Sequence, residues 1–403
     1  MPAPPDLRAL SPRVQAMQPS ATLAISARAA ALQRQGRDVI ALSAGEPDFD
    51  TPAPIVEAAH QALRDGRFSY TPNAGIPELR EAIAHKLVRE NGVDTCAAHV
   101  VCSNGAKQSV AQAILAVCRP GDEVLIPAPY WVSYPEMARL AGATPVEIPA
   151  TSAADYKITP GQLADAITER TRVLILCSPS NPTGAVYTPD ELETLADVLR
   201  QHPHVVVVSD EIYEYVVFDA PHVSFASLDG MGERTATING FSKAYAMTGW
   251  RLGYLAAPEW WSGAVAKVQS QLTSGPSSIT QYASLAAFSM GKGPVQEMVD
   301  AFRQRRDAVL GRLRSIDGVT CPTPQGAFYL FPDVSALYGR QSDGVTVSGS
   351  QDLCGYLLDH HGVALVPGQA FGSDAGVRIS YATDLGTLMR ACDRIEAGLA
   401  ALA

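Results

Sequence analysis

Residues 172–191 read R-V-L-I-L-C-S-P-S-N-P-T-G-A-V-Y-T-P-D-E, and residues 204–213 read H-V-V-V-V-S-D-E-I-Y. Each segment opens with a short β-branched or aliphatic run, the composition of a strand buried on both faces. Between them Thr188-Pro189-Asp190-Glu191 has the signature of a helix start, a capping box with proline at the first helical position. Strand, helix and strand in this order make the unit from which parallel sheets are wound. The alternation extends outward over residues 98–256. A strand at 99–102 leads through Ser103-Asn104-Gly105-Ala106-Lys107 into a helix at 108–118, and 123–126 is the next strand. The fold class is therefore α/β, a mostly parallel sheet wound with helices. Ligands of such sheets collect at the carboxyl ends of the strands, where Asn181, Asp210, Tyr213 and Lys243 fall.

Upstream, residues 19–36 have Ser20 as N-cap, an alanine-rich body and Gly36 at the end, and read as a helix. The strand-like V-I-A-L at 39–42 runs into S-A-G-E-P-D-F-D-T-P at 43–52, too rich in glycine, proline and aspartate for regular structure. Residues 54–66 and 76–92 carry apolar side chains at helical spacing, Ile76, Leu79, Ile83 and Leu87 in the second. Downstream, 294–316 reads as one long helix. After it, strand-like runs at 327–331, 363–366 and 377–381 and helices near 350–361 and 384–402 outline a smaller α+β unit, with 341–350 as a surface excursion. The expected organisation is an arm and part of the small domain in 1–50, a large domain in 51–300 and a small C-terminal domain in 301–403.

At 403 residues, 47% hydrophobic and 18% charged, the chain has the composition of a globular protein with material for two cores. A formal charge of −10 argues against nucleic acid or an anionic membrane as partner, since both select basic patches. The seven cysteines are scattered, odd in number and never spaced C-x-x-C, so they suggest neither a disulfide framework nor a zinc site, and a reducing cytoplasm is the expected location. The first residues, M-P-A-P-P-D-L-R-A-L-S-P-R, lack the apolar run of a signal peptide, and no stretch approaches the roughly 20 apolar residues of a membrane span.

Residues 237–251 read T-I-N-G-F-S-K-A-Y-A-M-T-G-W-R and set Lys243 between a short apolar strand and a turn. An amine there is a nucleophile only when unprotonated, and burial near another cation such as Arg251 lowers its pKa toward that state. Taken alone, Lys243 reads first as a solvated surface lysine, since exposed lysines are the norm. Gly105-Ala106, between a strand and a helix, offers backbone N–H groups to a phosphate, or serves packing alone. Asn181-Pro182-Thr183-Gly184 reads also as a turn, and Asp210-Glu211 also as a favourably charged helix N-terminus. Asp210 at the mouth of a valine strand is harder to dismiss, because a buried carboxylate is costly without a partner.

Together the segments 43–52 (S-A-G-E-P-D-F-D-T-P), 70–80 (Y-T-P-N-A-G-I-P-E-L-R), 104–108 (N-G-A-K-Q), 129–137 (P-Y-W-V-S-Y-P-E-M), 181–184 (N-P-T-G), 209–213 (S-D-E-I-Y), 242–253 (S-K-A-Y-A-M-T-G-W-R-L-G) and 378–382 (R-I-S-Y-A) resemble the class I aminotransferases, closest to their bacterial aspartate aminotransferase subgroup. The resemblance spans nearly the whole chain. It implies the fold type I architecture of pyridoxal 5′-phosphate enzymes, a seven-stranded, mostly parallel sheet in a large domain beside a smaller α+β domain, and a homodimer. It implies that Lys243 holds the cofactor as a Schiff base and then shuttles the substrate proton, that Asp210 pairs with the ring nitrogen, and that Asn181 and Tyr213 bond the ring's 3′-oxygen. Trp131 would stack on the ring. Arg251, Ser242 and the backbone of Gly105, Ala106 and Lys107 would hold the phosphate, joined by Tyr70 from the neighbouring subunit. Arg378 and the backbone of Gly45 would take the substrate α-carboxylate, and the Lys107 side chain the distal one; no metal is implied.

The implied reaction is amino transfer from L-aspartate to 2-oxoglutarate in a ping-pong cycle. Gln18 stands where some relatives have a lysine that meets longer dicarboxylates, which counts against prephenate. Rival expectations are a broader aminotransferase for aromatic, alanine, kynurenine or prephenate substrates, a β-lyase on the same fold, and a binding protein that lost the chemistry. Retention of Lys243, Asp210 and Arg378 argues against the last.

Overall fold

The computed structural model describes residues 10–342 and 344–403, so the first nine residues of the expected arm lie outside the described residues. Seven strands form one sheet: β1 (Val100–Ser103), β2 (Glu123–Ala128), β3 (Thr144–Pro149), β4 (Thr171–Cys177), β5 (Val206–Asp210), β6 (Thr235–Gly240) and β7 (Gly253–Ala256). Their order is β1-β7-β6-β5-β4-β2-β3. β3, β2, β4, β5 and β6 run parallel, and β7 is antiparallel to both of its neighbours.

Alternation along the strands sorts the helices onto two faces. Val173, Ile175, Val206 and Val208 pack with Val110, Ile114 and Trp261, from the helices Ala106–Val117 and Glu259–Leu272. Their neighbours Leu174, Leu176 and Val207 pack the other way, on Leu163, Leu192, Leu195 and Leu199 of the helices Pro160–Ala166 and Pro189–Arg200. The capping box read at Thr188 is formed, with both of its reciprocal bonds.

Two strands escaped the sequence reading. β3, T-P-V-E-I-P, is partly exposed along most of its length and carries two prolines, which only an edge strand tolerates. β7 returns antiparallel because the connection 241–252 is a succession of tight turns with no crossover helix. That connection carries Lys243. Asp210-Glu211 does not begin a helix: Asp210 is the last residue of β5 and a turn follows.

The helix Gly293–Arg314 runs unbroken through residues 300 and 301, where the sequence reading expects a domain boundary. Beyond it Val366–Pro367, Val377–Ser380 and Tyr329–Leu330 form a three-stranded antiparallel sheet in that order. Ile40–Ala41 pairs in parallel with Val363–Ala364, which ties the segment before the 43–52 loop to this C-terminal part.

The turn after β5 is fixed by buried charge. Glu211 accepts hydrogen bonds from Ser209 Oγ at 2.8 Å, Ser224 Oγ at 2.9 Å and the Phe225 amide at 3.2 Å. Glu214 is ion-paired with Lys86 and accepts from Asn91 Nδ2 at 2.8 Å, with Lys86 and Glu214 only 4% and 7% exposed. Glu211, Glu214 and His222 bring their polar atoms within 4.8 Å of one another, and Lys86 supplies the positive charge beside them. Removing one partner of such a pair leaves a buried charge alone. Lys86→Met is therefore expected to destabilise the protein by about 3–5 kcal/mol in urea unfolding, and Lys86→Met with Glu214→Gln to recover much of that. A single variant indistinguishable from wild type would mean that Glu214 is not held as a charge.

Candidate active site

A cavity of about 550 Å³ opens at the carboxyl ends of β4, β5 and β6 and under the 43–52 loop. Asp210 lies at its floor, 4% exposed. Its Oδ2 accepts the Tyr134 hydroxyl at 2.7 Å, and its Oδ1 accepts the Ile212 amide at 3.3 Å. Burial raises its pKa from 3.8 to about 6, against the pull of these two bonds and of Lys243.

Lys243 enters from the turns after β6, and its Nζ donates to the Gly45 carbonyl. It lies 5.9 Å from the Tyr213 ring centroid and 5.7 Å from that of Phe328. Burial lowers its pKa from 10.5 to about 8; the cations Arg378 and Arg251 lower it further, while Glu46 and Asp210 oppose them. The sequence reading named Arg251 as the positive neighbour, and the fold adds Arg378 from far along the chain. Both sit in the wall of the same cavity.

One end of the cavity is built for an anion. The helix Ala106–Val117 begins at N-cap Gly105 with no side chain capping it, so its first amides face the site with the positive end of the helix dipole. Gly105 has φ +83°, and a Cβ there would lie 2.4 Å from Arg251 Nη2. Gly253 is equally constrained, since its Cβ would fall 2.2 Å from the Ala106 amide nitrogen. Arg251, at φ +57°, donates to the Thr248 carbonyl at 2.7 Å and the Asn104 carbonyl at 3.3 Å, and Ser242 lines the same wall. A non-glycine residue held at positive φ costs about 1–3 kcal/mol, and a guanidinium beside the positive end of a helix adds to that cost until an anion sits between them, so both features fit an anion site.

The opposite end suits a carboxylate. Arg378, on the strand Val377–Ser380, is 2% exposed and donates to Asn181 Oδ1 at 3.1 Å and the Ser43 carbonyl at 2.7 Å. Its guanidinium lies 4.6 Å from the Tyr329 ring centroid, and its Nε is buried without a partner. An orphaned buried donor on an arginine is a site for a ligand oxygen. Tyr213 and Tyr329 share a hydroxyl contact of 2.9 Å. Trp131 lines the cavity and meets Tyr134 edge-on, with Lys107 Nζ 5.1 Å from its ring centroid. Lys107 also borders a second cavity of about 560 Å³, shared with Gln18 and Arg139. Burial and Arg251 lower the Lys107 pKa.

The sequence-predicted residues thus converge, with one exception. Tyr70 is fully exposed and lines no part of this cavity. Sequence reading gave no role to Tyr134, Tyr329, Glu46 or the Ser43 carbonyl; Tyr134 lies within the P-Y-W-V-S-Y-P-E-M segment, but nothing in that string points it at Asp210. The remaining shape fits a flat heteroaromatic ring with a phosphate, the group that resemblance implies: an amine, a carboxylate across the cavity, and a Gly105 cradle which a side chain would fill.

Both titrating groups cost stability at neutral pH. Between about pH 4 and 6 the folded state holds more protons at Asp210 than the unfolded chain, so this contribution worsens as pH rises through that window and is complete above it. Between about pH 8 and 10.5 the folded state holds fewer at Lys243, so that cost is complete below the window and fades as pH rises. Asp210→Asn is expected to stabilise the cofactor-free protein by about 1–3 kcal/mol at pH 7, with the gain lost below about pH 4. Thermal melts at the two pH values check this; no gain at pH 7 would show that the carboxylate is not strained.

The family model described as aminotransferase class I and II matches residues 37–395. A bifunctional aspartate aminotransferase and glutamate/aspartate-prephenate aminotransferase of Petunia hybrida is 56% identical over 97% of this chain and 82% of its own length. An aspartate/prephenate aminotransferase of Cereibacter sphaeroides is 48% identical over 98% of this chain and 99% of its own. Among solved structures, the aspartate aminotransferase of Rhizobium meliloti superimposes with a TM-score of 0.95 at 43% identity, over 98% of this chain and all of that one.

Proposed function

The chain belongs to the class I and II aminotransferases, pyridoxal 5′-phosphate enzymes of fold type I, and from that premise we propose that it moves the amino group of L-aspartate to 2-oxoglutarate, giving oxaloacetate and L-glutamate in two half-reactions. The observation that carries this reading is the pairing of Lys243 and Asp210 in one cavity, between an anion cradle at Gly105 and a buried arginine at Arg378. When bound, the cofactor accepts the electron pair left on the amino acid's Cα. Lys243 is the attachment point and then the base and acid that takes the Cα proton and returns it, a task suited to an amine with pKa about 8. Asp210 meets the ring nitrogen, and Asn181 and Tyr213 meet the 3′-oxygen. Trp131 covers the ring. The Gly105, Ala106 and Lys107 backbone, Ser242 and Arg251 hold the phosphate.

Arg378 takes the α-carboxylate through its free edge, assisted by the Gly45 backbone. Lys107 takes the distal carboxylate, which selects aspartate and glutamate. In the adjoining cavity Arg139 is already paired with Glu136, and Gln18 is uncharged. That favours aspartate over prephenate, although both relatives cited carry prephenate in their names. Broader aminotransferase specificity and β-elimination are the other outcomes of a substrate panel.

The proposed assembly is a homodimer in which Tyr70 completes the partner's phosphate site. Its support is the exposure of Tyr70 together with Phe68 and Leu63 close by in sequence. The proposed bodies are 51–300 as the larger and 301–403 with part of 1–50 as the smaller, closing over the substrate to exclude water. The proposed location is the cytoplasm, supported by seven free cysteines. Among the described residues no helix is long and apolar enough to cross a membrane.

Absorption spectra of the purified, cofactor-loaded protein test the reaction. The lysine-bound cofactor band should disappear with aspartate and return with 2-oxoglutarate; indifference to aspartate with a response to phenylalanine would replace the substrate. Lys107→Ala is expected to raise KM for aspartate by about tenfold or more, as loss of a charged hydrogen bond does, with little change for alanine. Equal effects on both substrates would remove Lys107 from the distal pocket.

A further inference from the structure

The carboxylate of Asp210 has one partner that the reaction scheme leaves unused. Tyr134 opens the helix Tyr134–Ala141, is 2% exposed, and gives its hydroxyl to Asp210 Oδ2 at 2.7 Å. Two other titratable groups face this pair: Glu211 adds to the cost of the Asp210 charge, and the Cys177 thiol lies beside both Asp210 and the Tyr134 hydroxyl. Cys177, its register partner on β4, turns its thiol to the Pro179 carbonyl at 3.4 Å. Glu211 is occupied by Ser209, Ser224 and His222, and Lys243 Nζ donates to Gly45. On Oδ1 there is a single long bond, 3.3 Å from the Ile212 amide. One carboxylate oxygen is therefore gripped, and the other is left largely free for a donor in the cavity.

We propose that Tyr134 is the positioning residue of Asp210, fixing Oδ2 so that the carboxylate stays ionised and Oδ1 remains free for the cofactor's ring nitrogen. This rests on the reading of the chain as a pyridoxal-phosphate enzyme. The phenol is suited to the task. Burial and the neighbouring carboxylate hold its own pKa well above the usual range, so it keeps its proton and donates across the range in which Asp210 titrates. Its ring orientation is set by the edge-on contact with Trp131, centroids 5.3 Å apart at 89°. The wall that covers the cofactor thus also orients the group that meets its ring nitrogen. Without the hydroxyl, desolvation of Asp210 is opposed only by the long Ile212 bond and by the charge of Lys243, so the carboxylate takes up a proton at higher pH and loses its fixed orientation.

The test uses Tyr134→Phe, Asp210→Asn and the double variant, each prepared as apoprotein and titrated with pyridoxal phosphate by quenching of tryptophan fluorescence from pH 5 to 9. Tyr134→Phe should weaken cofactor binding about tenfold to a hundredfold at neutral pH, the range for a hydrogen bond to a charged group. It should also move the acidic limb of the binding profile to higher pH. In the Asp210→Asn background the same substitution should change the dissociation constant by no more than about twofold, because the group through which it acts is already neutral. An unchanged dissociation constant and pH profile in Tyr134→Phe would overturn the inference. So would an equal loss in both backgrounds, which marks a packing effect. A wild type that binds no pyridoxal phosphate would bring down the functional reading itself, and the inference with it.

Discussion

The structure turns on a carboxylate forced into a place where carboxylates are costly. Asp210 ends a strand of valines buried on both faces, in the middle of a seven-stranded sheet. Parallel winding makes that position the natural ligand crevice, because the strand ends there while its flanking helices pack against the sheet. The same burial that builds the core desolvates the aspartate and raises its pKa. Hydrophobic packing and functional strain are two results of one arrangement. The hydroxyl of Tyr134 and the amine of Lys243 answer it, whereas the neighbouring Glu211 adds to the cost and is itself held by Ser209 and Ser224 in the turn that follows.

Lys243 is the mirror case. The proposed reaction needs it to lose its proton near neutral pH, and burial beside two arginines pushes it that way. Those arginines come from different parts of the chain and line different ends of the cavity. Arg251 stands at the helix N-terminus beside Gly105, while Arg378 stands on the small antiparallel sheet. An anionic ligand bound at each would neutralise them in turn. Ligand occupancy therefore alters the charge around the lysine as the site fills, without any new titratable group.

The sheet was legible because buried parallel strands write themselves as unbroken apolar runs, as in 173–176 and 205–208, and because Thr188 to Glu191 spells a helix start. Lys243 and Asp210 stood out as polar residues at the ends of such runs. Edge strand β3 was hidden by its prolines and half-exposed face, and the direction of β7 by turns that carry no period. Tyr134 and Tyr329 were hidden for another reason. Their partners Asp210 and Tyr213 lie 76 and 116 residues away, and no local pattern encodes a contact which exists only once β4, β5 and the small sheet are assembled. Tyr70 was read from resemblance alone, and its side chain meets solvent in the single chain.

Arg378 shows how the two sheets become one device. Its guanidinium ties Asn181, at the mouth of β4, to the carbonyl of Ser43, at the start of the loop that also supplies Gly45. That loop is bound in turn to the long helix by the paired contacts of Arg305 with Asp48 at 2.7 and 2.9 Å, and to the Lys243 turn by Thr51 and the Ala246 carbonyl at 2.9 Å. A ligand carboxylate on Arg378 would therefore meet a residue already tied to the mouth of β4 and to the loop over the cavity. In the proposed reaction the residue that would recognise the substrate is thus linked through hydrogen-bonded backbone at Ser43 and Gly45 to the lysine that would handle its proton.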